Sequence, residues 1–221
     1  MMMRLGFVVA SFVKRLNARS FLAMAGMAGP IVLVVTDIVA ASSSKQYNII
    51  SDSISSLALT PMGYVQIIGY LAIGLLVEVY TAGLLFGVRA ARGFHLSIVC
   101  LVLIGFGMLL LGAFRTDPVS VARTIEGIIH KISAGIVFWL FPAATMLITS
   151  SFRRDPYWRK FYKYTLVTSV LALVFVILVT ALEESASWFG LAERFLVANM
   201  IVWVEITAIR LFMLSLGPGN R

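Results

Sequence analysis

Long apolar runs separated by short polar breaks set the first expectation. The runs are Phe21–Ala41, Tyr64–Val88, Leu96–Phe114, Ile128–Ser150, Phe161–Leu182 and Ala192–Leu214. Each is near the length that a helix needs to cross a hydrocarbon layer about 30 Å thick, roughly 20 residues. A lipid-facing helix satisfies its own backbone and an open strand edge does not, so the runs predict helices. The breaks carry turn residues: Ser42–Gly63 with Pro61, Arg89–Gly93, Arg115–Gly127 with Pro118, Ser151–Lys160 with Pro156, and Glu183–Leu191. The expected fold is all-α, a polytopic transmembrane bundle of six helices. Residues 1–20 form a basic N-terminal segment, 21–214 the transmembrane domain and 215–221 a tail.

Composition agrees with the pattern. Sixty per cent of the 221 residues are hydrophobic and 13% are charged, and mean hydropathy is +0.97. A water-soluble domain of this size could not hide so much apolar surface in one core. The net charge of +8 would suggest nucleic acid in a soluble protein. Here the basic residues gather at the ends of apolar runs, as membrane anchors do, and nucleic-acid binding is discounted.

Their distribution also predicts orientation. Arg4, Lys14, Arg15, Arg19, Arg89, Arg92, Arg153, Arg154, Arg159, Lys160, Lys163, Arg210 and Arg221 fall on one side, against Lys45, Arg115, Arg123, Lys131 and Arg194 on the other. The side richer in Lys and Arg is expected to be cytoplasmic, which puts both termini there and turns the first, third and fifth connections outward. Within residues 1–20, Leu5, Val8, Val9, Phe12, Val13 and Leu16 recur at helical spacing, so this segment either lies along the inner membrane surface or frays as a basic tail. Val39-Ala40-Ala41 resembles a cleavage site, but the preceding run is too long and carries Asp37, so the first helix is expected to be retained. Trp158 and Trp188 lie in connections, at depths where aromatic belts form. The lone cysteine, Cys100, offers no intramolecular disulfide and no thiolate cluster.

In chain order the outward segments read Ile50-Ser51-Asp52-Ser53-Ile54-Ser55-Ser56-Leu57 with Pro61-Met62-Gly63, then Gly112-Ala113-Phe114-Arg115-Thr116-Asp117-Pro118. Gly127-Ile128-Ile129-His130 and Gly190-Leu191-Ala192-Glu193-Arg194 follow. This ordered set resembles the prokaryotic six-helix membrane family known as domain of unknown function 998, over roughly Phe21 to Leu214. The resemblance implies a six-helix bundle in a prokaryotic plasma or inner membrane, with polar motifs on the outer face. It brings no established activity.

The polar residues of the outer ends are the candidates for chemistry. Ser51, Asp52, Ser55, Asp117 and His130 are the candidate catalytic set; Asp37, Arg115, Thr116, Glu126, Glu193 and Arg194 are candidates for holding a ligand. Lipid penalises unsatisfied polar groups, so these side chains should turn toward one another and form a pocket. The plainer reading makes them solvated loop residues and caps, with Asp52, Thr116 and Asp117 satisfying backbone amides. A serine hydrolase would need Ser51, Ser53 or Ser55 deprotonated by His130, with Asp52 or Asp117 orienting the ring. Glu126, four residues before His130, could also bond it on one helix face. His95 belongs to the opposite membrane side, so the two histidines cannot share an ion, and neither a metal nor a cofactor is expected.

Glu78 and Glu205 sit deeper, at similar depths in the second and sixth runs. A charged carboxylate there costs about 2.5 kcal/mol or more, so both should face the interior. They form either a proton or cation relay or glutamates hydrogen-bonded through Tyr80, Thr81 or Thr207. Three functions follow. The first is an outer pocket for a lipid head group or small polar solute, with membrane lipids as partners. Should the pocket break a bond, it is a hydrolase or transferase acting on lipid. The second is a proton- or cation-coupled transporter using Glu78 and Glu205. The third is a non-catalytic subunit of a membrane complex, or a homo-oligomer.

Overall fold

A computed structural model describes residues 16–217 except Ser120, Glu183 and Ser185. The surface-helix expectation for residues 1–15 lies outside the described residues, as do residues 218–221 of the tail. The described residues are helical and contain no strand. The long helices are α1 (Ala18–Ser42), α2 (Gly63–Gly87), α3 (Phe94–Ala113), α4 (Ile125–Arg154), α5 (Tyr162–Ala181) and α6 (Phe189–Ser215), with 3₁₀ turns at Ser55–Leu59 and Arg159–Phe161. The described residues thus hold six helices long and apolar enough to cross a membrane.

Two of the six helices, α1 and α4, begin where a side chain satisfies free amides. Asn17 caps α1 by accepting the Ser20 N–H at 3.1 Å, and Ser20 Oγ accepts the Asn17 N–H at 3.3 Å. Thr124 caps α4 by accepting from Gly127 N–H at 3.1 Å. Both helices start three residues ahead of their apolar runs, because a cap is polar and hydropathy does not register it. α4 also continues past Ser150 to Arg154, with Arg153 and Arg154 in its last turn, where cations complement the helix dipole.

Each helix packs against its neighbours in sequence, and α6 returns to close against α1 and α5. The result is a ring. Small residues let α2 and α3 approach closely: a Cβ on Gly74 of α2 would sit 2.9 Å from the Gly105 carbonyl of α3, so only glycine permits this approach. Inside the ring, Trp203 packs edge-on against Phe141 at 5.8 Å and donates its indole N–H to Thr165 Oγ1 at 3.2 Å. Tyr80 shares a hydrogen bond with Thr207.

That pairing uses two of the partners expected for the deep glutamates. Glu78 instead lies over Gly105 and Phe106 of α3, while Glu205 Oε2 and Thr81 Oγ1 are buried without a hydrogen-bond partner. Trp158 departs from the aromatic-belt expectation: it is fully buried, stacked on Phe152 at 4.6 Å and bonded to the Gly87 carbonyl. Nearby, buried Asp155 accepts the backbone N–H groups of Arg89 and Tyr157, both at 2.8 Å, and so ties the second connection to the fourth. Trp188 is 44% exposed.

Candidate functional site

At the other end of the ring the first connection, residues 43–62, folds across the helices. It is stapled internally: Asp52 Oδ2 accepts Asn48 N–H at 2.8 Å and Oδ1 accepts the Ser51 hydroxyl at 2.9 Å. It is also held from α6. Leu191 N–H donates to the Ile50 carbonyl at 2.9 Å and Gly190 N–H to that of Ser51 at 3.3 Å, so part of the free N-terminus of α6 is capped by backbone. Glu193, 5% exposed, accepts Ile54 N–H at 2.6 Å.

Arg194 completes the clasp. Its guanidinium donates to the carbonyls of Ile49, Asp52 and Gly190 at 2.7 to 2.9 Å and to the Tyr47 hydroxyl. Tyr47 in turn donates to the Ser53 carbonyl at 2.9 Å. Burial, only partly offset by Arg194, pushes the Tyr47 phenol up to about 12. The planar fork of arginine suits several carbonyls at once.

The third connection is held the same way. Asp117 accepts Thr124 N–H at 2.7 Å and its hydroxyl at 2.8 Å. Between the first and third connections, α4 and the facing ends of α5 and α6 lies an open cleft of about 900 Å³. Ser51, Asp52, Ser53, Ser55, Thr116, Asp117, His130 and Glu193 line it. On its rim Glu184 pairs with Lys131 at 2.6 Å and Arg123 at 3.5 Å. Burial pushes the Glu184 carboxyl up, but these two cations outweigh it and hold it below the usual carboxylate range.

Below the cleft, within the ring, is a smaller apolar chamber of about 70 Å³, lined by residues such as Leu33, Ile73, Leu101, Val137 and Met200. Ser55, Ala134, Phe138 and Glu193 line both spaces. The junction carries a close serine–histidine contact. His130, 3% exposed, bonds the Phe114 carbonyl through Nδ1 at 2.8 Å and Ser55 Oγ through Nε2 at 3.0 Å.

The geometry therefore sorts the candidates from the sequence. Ser55 stands at His130, but neither Asp52 nor Asp117 orients the ring, because each carboxylate is engaged within its own loop and the Phe114 carbonyl does that work. Glu126 is exposed in the first turn of α4 and is not a partner of His130. Arg115 is exposed and outside the cleft lining, and Arg194 grips the loop rather than the cleft. Asp37 sits on α1 facing Gln66 of α2, away from both spaces.

Gln66, Tyr70 and Tyr47 had not been singled out. Gln66 is fully buried, with its amide between Asp37 of α1 and Tyr70. The Tyr70 hydroxyl faces Gln66 and Ser55. An isolated glutamine in an apolar run was the available signal, since lipid-facing positions do not tolerate an amide.

The sequence model of a family described as "Protein of unknown function (DUF998)" matches residues 27–210 of the chain. Neither a curated protein nor a solved structure matches it.

Proposed function

We propose, from the premise that this chain belongs to the DUF998 family of unknown function, that its cleft binds an amphiphilic lipid at the outer face of a prokaryotic plasma or inner membrane. The head group occupies the polar cleft and part of the apolar tail enters the chamber below. One observation carries this reading: the cleft and the apolar chamber meet at Ser55, Ala134, Phe138 and Glu193. A small polar solute would have no use for the apolar chamber. A lipid uses both, because the hydrophobic effect drives its chain inward while its head needs hydrogen-bond partners. Lys131 and Arg123 on the rim suit an anionic head group. The outer placement is supported by the excess of Lys and Arg at the opposite end.

The test is lipid retention. Full-length protein purified in mild detergent is expected to carry lipid by native mass spectrometry, and Ala134→Phe, which fills the junction, is expected to reduce occupancy at least about tenfold with the fold intact. Lipid-free protein, or equal occupancy in the variant, would refute the reading. The placement is tested separately by membrane-impermeant thiol labelling of intact cells. In a Cys100→Ser background, cysteines at Gln46 and Val119 should both label from outside.

A further inference from the structure

We propose that Ser55 and His130 form a nucleophile and base that cleave or transfer the acyl group of an ester-linked lipid, an inference that rests on the lipid-binding reading above. A carbonyl oxygen can only accept, so His130 Nδ1–H donates to the Phe114 carbonyl at 2.8 Å. In the neutral ring the lone pair then lies on Nε2, and the Ser55 hydroxyl, 3.0 Å away, donates to it. This is the arrangement that activates a serine, with a backbone carbonyl as the orienting third group in place of a carboxylate. His130 is 3% exposed, so few waters compete for that lone pair.

Position supplies the second observation. Ser55 lines both the polar cleft and the apolar chamber. In an ester lipid the acyl carbonyl sits where head group meets tail, so a lipid spanning the two spaces brings that carbonyl to Ser55. Tyr70 lines the chamber with Ser55, its ring 6.5 Å from that of His130, and so brings a phenol O–H to the neighbourhood of the oxygen on which charge develops.

The reaction balances with water or an alcohol as second substrate. Ser55 Oγ bonds the acyl carbon while its proton passes to His130 Nε2. The carbon–oxygen bond to the lipid's alcohol breaks, and Nε2 returns the proton to that oxygen. Water or the acceptor alcohol then attacks the acyl-serine, giving its proton to Nε2. The serine oxygen leaves with that proton, and a carboxylic acid or a new ester is released.

A fluorophosphonate probe applied to the full chain in mixed micelles tests this directly. The expected result is a single adduct on Ser55, absent in Ser55→Ala and slowed at least about 100-fold in His130→Gln, with Ser42→Ala, an exposed serine outside the cleft lining, labelled normally. Lipid occupancy is measured on the same samples. Protein that retains lipid but takes up no probe at Ser55, or labelling that persists in Ser55→Ala, overturns the nucleophile and leaves the binding reading standing. Loss of lipid from the unmodified chain strikes the binding reading instead.

Discussion

Glu193 Oε2 accepts the backbone N–H of Ile54 at 2.6 Å, across 139 positions of sequence. Both residues are buried. The bond anchors the residue immediately before Ser55 to α6, and so sets where the serine stands relative to His130 on α4. Glu193→Ala leaves a buried N–H without a partner, and the expected loss is about 1–3 kcal/mol of stability. Glu193→Gln keeps an acceptor and is expected to lose less. Thermal unfolding in detergent compares the two, and equal melting temperatures for all three proteins would refute the anchor.

Gly190 lies against the Asp52 carbonyl, with no room for a Cβ, whereas a Cβ on Gly135 meets nothing within 4 Å. Gly190→Ala must push the first connection off the start of α6, at a cost of about 1–3 kcal/mol. It is expected to speed proteolysis within residues 43–62. Gly135→Ala, inside α4, is expected to be neutral or to gain up to about 1 kcal/mol from helix propensity. Reversal of this order in a melting experiment would contradict the packing described.

Tyr47 predicts an alkaline limit to the clasp. Its phenol is pushed up to about 12 from an ordinary value of 10.0, chiefly by burial. A raised folded value contributes stability that is fully present below the unfolded value and lost as pH rises through the folded one. The connection is therefore expected to hold up to about pH 10 and loosen between about 10 and 12. Absorbance titration of Tyr47→Phe should lack one late-ionising phenol, and an unchanged titration would count against the arrangement.

Glu184 sets the charge of the cleft mouth. Its lowered value reflects Lys131 and Arg123, so its pairing is present above the unfolded value and lost as pH falls through the folded one. The three side chains are 39% to 54% exposed, and the pairs are expected to contribute below about 1 kcal/mol to stability. Glu184→Gln frees both cations. Melting should hardly move, while the ratio of anionic to zwitterionic lipid retained should rise at low salt and converge with the parent at high salt.

Much of the fold was legible from the apolar runs, because a crossing helix must be apolar along its whole length. The helix starts at Ala18 and Ile125 were less so, since polar caps at Asn17 and Thr124 mark them. Trp158 misled in a different way. A tryptophan beside Pro156 in a basic connection reads as an interfacial anchor, but the connection folds inward and stacks it on Phe152. At the candidate site, Ser55 and His130 were both visible as residue types. Their pairing was not, because 75 positions separate them and three serines were equally plausible along the chain.

The amino-acid sequence alone determined the number of crossings and the helical class, because water and lipid select on the composition of contiguous segments. Only the tertiary structure decided that Asp52 and Asp117 staple their own loops, that the Phe114 carbonyl orients His130, and that Glu193 and Arg194 grip the first connection. Those choices depend on how six helices close into a ring. Partners for a carboxylate or an imidazole are chosen by distance and direction across the ring, and neighbouring positions along the chain do not encode them.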